Sequence, residues 1–368
     1  MNDITLYLHV GSGKTGTSSI QKFLSENRSE LWKSCSCFYP RANKIDLHEG
    51  KLINHQIFFL NNDFDKQKEK ILSSVKYCKS KSKNKMILSA ELLFETEDAR
   101  HLAEELTRLP GVNLQIIIYL RRQDHWLESA WKQWGYKSQK YSDIQDYVNK
   151  RDCSWLRRLQ LWENAVGKER LIVRCYEKEQ LSRGLIVDFL DAVGINYDGH
   201  TWTEHKDLLK GFQRDAMEIL FLNKDFCVDE NDNRLQYFLE EYLGESYQKG
   251  SFENYSFLSP QERLSIVERY ADSNATVAKE FLGREDGRLF YEPFPDSNEK
   301  WEPYQGLTVE KIVPIFMQML HNLDTKMNKR SHTKNILSKK SHFFNKIMNN
   351  RFIRSKNVYS YFQKRNRR

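Results

Sequence analysis

Near the N-terminus the stretch "ITLYL" is almost continuously apolar and runs into "HVGSGKTGTS", after which Ile20, Leu24 and Leu31 recur at helical spacing. A strand, a Gly-rich turn and a helix are predicted in that order. Further on, the Lys-rich stretch near 64–80 reads as a helix. "KMILSAE" contains a short apolar run from Met86 to Leu88 that reads as a buried strand ending at Ser89. "DARHLAEELTRL" has helical periodicity and is stopped by Pro110 and Gly111. "VNLQIIIYL" is continuously apolar from Ile116 to Leu120, the pattern of a strand covered on both faces, and "LIVRCY" at 171–176 repeats it. Strands alternating with helices predict an α/β fold, a parallel β-sheet flanked by helices.

From about residue 206 the pattern becomes helical throughout, in "LLKGFQRDAMEILFL", "NRLQYFLEEYL", "PQERLSIVERYADSNATVAKEFL" and "TVEKIVPIFMQMLHNL". Pro260 opens the third of these, where proline is tolerated. The expected organisation is an α/β core over 1–205, a helical C-terminal extension packed on it over 206–328, and a tail over 329–368.

Charge sharpens the last boundary. The formal net charge is +8, yet 14 Lys and Arg and no Asp or Glu lie between Lys326 and Arg368, leaving 44 basic against 50 acidic residues in 1–325, a net of −6. The compact part therefore lacks the positive excess that would attract a nucleic-acid backbone, and no nucleic-acid partner is expected. In the tail, "HFFNKIMNNRFIRSK" spaces Phe344, Met348 and Phe352 four apart among basic residues. That suits a basic amphipathic segment on an anionic membrane surface; the composition suits a solvated disordered tail equally. No apolar run approaches the roughly 18 residues of a membrane span, and the N-terminus lacks the pattern of a secretory signal. The six cysteines are scattered. A cytoplasmic protein with reduced thiols is expected, one that the tail could bring to the inner membrane face. "CSC" supplies two thiols with no second pair, so no metal site is expected.

The Gly-rich turn carries the first chemical signal. A helix N-terminus with unpaired N–H groups favours an anion, and the turn is P-loop-like. Gly11 and Gly16 have the separation of the common nucleotide phosphate loop, but Thr17 stands where its lysine belongs and the lysine comes earlier, at Lys14. The second signal is "YLRRQDHWLESAWKQWG". Arg121 and Arg122 leave the strongest strand, and Ser129 follows Arg121 by eight residues. In open α/β sheets ligands bind beyond the carboxyl ends of the strands, where both features lie. Taken singly, Arg121 and Arg122 could be ordinary surface ion-pair formers and Ser129 an ordinary helix residue.

With these residues in view, the chain resembles sulfotransferases that use 3′-phosphoadenosine 5′-phosphosulfate (PAPS). "KTGTS" at 14–18 is similar to that family's 5′-phosphosulfate loop, and Arg121 with Ser129 resembles the pair that holds the 3′-phosphate. "CYEKEQL" and "IVDFLDAVGI" resemble the strand and helix that follow. "YADSNATVAKEFLG" with "GRLF" is similar to a bacterial branch of the family. The resemblance spans roughly residues 4–320. It implies that the amides of Thr15, Gly16, Thr17 and Ser18 hold the 5′-phosphate, that Lys14 contacts the bridging oxygen, and that no divalent ion is required. It also implies a glycan or glycolipid hydroxyl as acceptor and adenosine 3′,5′-bisphosphate (PAP) as product. One departure stands out: many members have a tryptophan after the loop against adenine, and Ser19 occupies that place.

Such a transfer needs a base for the acceptor proton. His55 has the most suitable unperturbed pKa, Glu91 lies at the end of the "ILSAE" strand, and His48 is the third candidate. Trp126, Trp131 and Trp134 follow at mixed spacings, as core residues or as the wall of an acceptor cleft. Two other classes remain open: a P-loop kinase, weakened by Thr17, and a non-catalytic anion-binding or membrane-adaptor module.

Overall fold

The computed structural model describes residues 3–42, 53–59, 63–203, 212–243 and 256–348, with only the helical backbone given for 329–348. Its centre is a five-stranded parallel sheet in the order β2-β3-β1-β4-β5, formed by β1 (Ile4–Gly11), β2 (Cys37–Phe38), β3 (Lys85–Ser89), β4 (Val112–Leu120) and β5 (Leu171–Cys175). The α/β expectation holds, because each apolar run identified above occupies a strand of this sheet: β1, β3 and β4 in its interior and β5, half-buried, at its edge. β1 lies in the middle, between β3 and β4, and the register against β4 shifts between His9 and Gly11 as the strand gives way to the loop.

The period of two in β1 sorts its side chains onto two cores. Ile4, Leu6, Leu8 and Val10 face one layer, with α4 (Phe64–Ser80), α5 (Glu97–Thr107) and α8 (Trp155–Val166) packed over it through Ile71, Leu102, Trp155 and Trp162. On the other face Ile87, Ile117 and Tyr119 meet α1 (Thr17–Glu26) and α9 (Leu185–Ala192) through Ile20, Leu24, Phe189 and Leu190. Each fully buried Leu or Ile here contributes on the order of 1.5–3 kcal/mol.

Between these lie α2 (Arg28–Lys33), the single turn α3 (Gln56–Phe59), α6 (Gln123–Gln133) and α7 (Ile144–Lys150). The later part is helical: α10 (Arg214–Leu222), α11 (Arg234–Tyr242), α12 (Pro260–Arg269), α13 (Ala271–Leu282) and α14 (Val309–Met348). The stretch 260–282, continuous in its periodicity, is two helices that break at Tyr270. Ser259 caps α12 in a complete capping box with Glu262, with Pro260 at its first turn. α12 packs on α6 and α13 on α8, so this part of the chain reaches the sheet's carboxyl edge. α14 continues as helix through the 328/329 boundary to Met348, so the first half of the basic tail extends α14 rather than starting a separate segment. Residues 349–368 and His48 lie outside the described residues. Among the described residues no helix is long and apolar enough to cross a membrane.

Candidate functional site

The loop between β1 and α1 turns through two left-handed residues, Lys14 at φ 67° and Gly16 at φ 75°. A glycine suits the second position for two reasons. It takes positive φ without penalty, and a Cβ there would come within 2.3 Å of Leu185 and 3.1 Å of Tyr176. Lys14 is a non-glycine residue in a sparsely populated region, held there by its neighbours. Thr15 Oγ1 donates to the Ser12 carbonyl (2.5 Å), Trp126 Nε1 donates to the Gly13 carbonyl (2.9 Å), and Arg121 Nη1 donates to the Lys14 carbonyl (3.1 Å).

With its carbonyls thus engaged, the loop leaves its donors free. Among the described residues, no acceptor pairs with the backbone N–H of Gly13, Lys14, Thr15, Gly16, Thr17 or Ser18. Six consecutive free amides at a helix N-terminus form a concavity for an anion.

Two cations border it. Lys14 Nζ donates to Gln133 Oε1 (2.6 Å) and lies 5.9 Å from the centre of the Trp134 ring. Arg121 lies over the Tyr176 ring at 5.5 Å, and its carbonyl accepts from Trp155 Nε1 (2.9 Å). Among the described residues neither cation has a carboxylate within ion-pair distance. Burial lowers the pKa of both. Lys14 falls to about 8, through burial first and then the charge of Arg121, with Lys132 adding to the fall and Glu91 opposing it. Two half-buried positive charges with no carboxylate in ion-pair distance among the described residues suit an anionic ligand.

The neighbouring arginine behaves differently. Arg122 is buried and pairs with Asp124 (2.8 Å), and its Nη1 donates to the Pro293 carbonyl (2.7 Å). Asp124 is wholly buried and also receives Arg263 of α12 (3.0 Å). Burial alone would raise that carboxyl; the hydrogen bond from Arg122, with His125 and Arg263, holds it well below the usual range. Lys132 pairs with Glu128 (2.9 Å).

Ser129 faces a cavity of about 820 Å³ whose lining also includes Arg121, Lys132, Arg263 and Trp301. Its hydroxyl has no partner among the described residues. The Arg121 and Ser129 of the sequence reading thus open on one space, with Lys14 bonded to the same arginine through its carbonyl. Lys132, Gln133 and Arg263 were not singled out from the sequence. The first two fall three and four residues after Ser129, the helical spacing that places them near its face. Arg263 carries no local signal at all. Of the tryptophans, Trp131 is core, Trp126 holds the loop, and Trp134 stands beside it, where a Cβ on Gly13 would meet its ring at 2.9 Å.

The three base candidates separate. His48 lies outside the described residues. Glu91 follows β3 directly and stands at the loop, its Oε2 accepting a hydrogen bond from Thr17 Oγ1. His55 is buried with both ring nitrogens engaged: Nδ1 accepts from the Ser89 N–H (3.0 Å) and Nε2 donates to the Pro40 carbonyl (3.2 Å). Burial lowers its pKa to about 4. In this arrangement the expectation of His55 as a base is corrected: no lone pair is free to take a proton. The ring ties the chain after residue 52 to the end of β3. Among the described residues no group of three or more His, Cys, Asp and Glu is arranged to hold a metal.

No protein-family model matches the chain. An uncharacterized protein of Archaeoglobus fulgidus is 26% identical over 170 residues, 46% of each chain. The chain thus spans about half the length of that curated relative. Among solved structures, a sulfotransferase from Alicyclobacillus acidocaldarius is similar at 13% identity and a TM-score of 0.34, covering 59% of this chain and 91% of that one. A likeness of that size leaves the functional argument to the residues themselves.

Proposed function

We propose that this chain is a PAPS-dependent sulfotransferase. The observation that carries the reading is the pair of cations without carboxylates, Lys14 and Arg121, beside six free loop amides at the carboxyl edge of the sheet. The fit to the donor is supported by the free donors, by the missing Cβ at Gly16 and by the Ser129 hydroxyl turned to the cavity. When bound, PAPS supplies the sulfuryl group and a phosphate leaving group. The amides of Thr15 to Ser18 would hold its 5′-phosphate, and Arg121 with Ser129 its 3′-phosphate.

The chain's own residues then divide the work. Lys14 places a positive charge where negative charge grows on the leaving oxygen, a contribution typically of several kcal/mol in a site shielded from water. Gln133 Oε1 accepts from that ammonium at 2.6 Å and orients it. Glu91 takes the proton of the acceptor hydroxyl; Thr17 orients one of its oxygens, leaving the other for the acceptor. We assign the acceptor to glycan or glycolipid hydroxyls on the resemblance of the 270–290 region to the bacterial branch.

The test is calorimetric binding of PAP with and without EDTA. Binding that is indifferent to EDTA and weakened at least tenfold by Arg121→Ala or Ser129→Ala is expected, since each removes a hydrogen bond to a charged group, about 1.5–3 kcal/mol. Strict magnesium dependence, or unchanged affinity in both variants, would overturn the assignment in favour of a kinase or of an anion site of another kind.

A further inference from the structure

The helical half carries most of the large apolar side chains that the fold leaves exposed. Of fifteen among the described residues, twelve lie between Leu222 and Met327, so the pattern is not the even scatter of an ordinary surface. Six belong to α14: Val309, Val313, Phe316, Met317, Leu320 and Met327, each 49–69% exposed. Ile315 is fully buried on the opposite flank of that helix, Asn322 Nδ2 donates to the Tyr242 carbonyl (2.9 Å), and Lys326 pairs with Glu241 (3.3 Å). One face of α14 is therefore bound to α11. A second face, about a third of a turn away, is apolar and faces outward.

The spacing of that second face is regular. Val309, Val313, Phe316, Leu320, Leu323 and Met327 follow one another by four, three, four, three and four residues, with Leu323 half-buried. A repeat of 3.5 residues keeps an apolar row aligned with a partner helix, whereas a helix serving only its own globule needs no such repeat. The row is about 27 Å long at 1.5 Å per residue. It also reads the same in both directions about residue 318, as a self-complementary two-fold contact requires. Charge selects the direction. The segment from Lys326 onward has 14 basic and no acidic residues, while 1–325 carries a net −6. Parallel pairing would bring two such basic segments together; antiparallel pairing sends each towards the other copy's acidic body.

We propose that the outward face of α14 pairs with the same face of a second copy of this chain, antiparallel, about a two-fold axis near residue 318. The pairing sets Val309 against Met327, Val313 against Leu323 and Phe316 against Leu320 across the axis. It holds whatever group the protein transfers, because none of these residues lines the cavity at Ser129.

The test is light scattering of the full chain at micromolar concentration, with disulfide trapping. Wild type should have twice the 43.9 kDa chain mass, and Phe316→Glu with Leu320→Glu should have the single-chain mass. In a Cys35→Ser background, Val309→Cys mixed with Met327→Cys should form a disulfide-linked dimer, and neither alone should. These conservative positions report the geometry even where the glutamates disturb folding. A monomeric wild type, a dimer that survives the double glutamate change, or self-crosslinking of each cysteine variant alone would overturn the proposal. A monomeric wild type that floats with phosphatidylglycerol vesicles, and loses this with Phe316→Glu and Leu320→Glu, would give the face to a lipid surface instead.

Discussion

The charge of Lys14 gives the sharpest handle on the site. Its ammonium is drawn from an ordinary 10.5 to about 8 by burial and by the like charge of Arg121, so it is mostly cationic at pH 7 and mostly neutral at pH 9. An anion that needs the cation should then bind about tenfold more weakly for each pH unit above 8, by linkage. The fall levels off once the lysine's whole contribution is gone. One hydrogen bond from a charged donor contributes about 1.5–3 kcal/mol, which sets the total at roughly ten- to 150-fold. Phosphate monoesters lose their second proton near pH 6, so the ligand's own charge is nearly constant across the window. The assay is PAP titration by calorimetry at pH 7, 8 and 9, in wild type and Lys14→Met. Wild-type affinity should fall as pH rises. Lys14→Met should start at the weakened level and stay flat. A flat wild type would show that Lys14 is not depressed or does not touch the anion, and an equal slope in both proteins would move the titration to another group.

Two further outcomes concern the residues beneath the loop. Glu91→Gln should lower turnover by about 10² to 10⁴, the range for losing a general base, with PAP affinity nearly unchanged, whereas His55→Gln should leave turnover per folded molecule near wild type; the reverse ranking in steady-state assays would return the base to His55. His55 should instead appear in stability against pH: its folded pKa of about 4 lies below the unfolded 6.5, so the unfolded chain binds more protons between these values and stability falls on acidification. Urea unfolding should show about 2 kcal/mol lost between pH 7 and 5 from this group, with a like slope from His9, which burial lowers to about 3. His55→Gln should remove about half of that slope, and an unchanged slope would refute the buried neutral ring.

Legibility followed the range over which each signal acts. β4 and the β1–loop–α1 unit were readable because an apolar run, two glycines and a helical period lie within about one turn of each other. β2 was missed: Cys37 and Phe38 are too few to express a period, and only pairing with β3 makes them a strand. Tyr270 was missed as a break because the apolar period continues across it. His55 was misjudged for a related reason. A solution pKa describes an imidazole in water, and this one is enclosed beside Tyr39 with both nitrogens bonded to backbone. Gln133 and Lys132 could have been found by carrying the helical spacing on from Ser129; Arg263 could not, because it reaches Asp124 from 139 residues along the chain.

Arg121 and Arg122 show where such reading must stop. In the sequence they are adjacent, equally charged and equally placed at the end of one strand. Successive residues leaving a strand point to opposite sides, so at most one can face the loop, but the pattern does not say which. Their partners decide it. Arg122 is turned into Asp124, Glu292 and the Pro293 carbonyl, and its charge is neutralised within the fold. Among the described residues the Arg121 guanidinium meets a carbonyl, to which it donates, and a tyrosine ring, neither of which carries a negative charge. A half-buried cation in that state carries a desolvation cost that an anion beside it would offset. The paired arginine therefore holds Glu292 and Pro293 against α6, and under the proposed function the other is the one that would meet the ligand. On the proposed function, the arginine assigned to the anion is the one the fold leaves without a counter-charge.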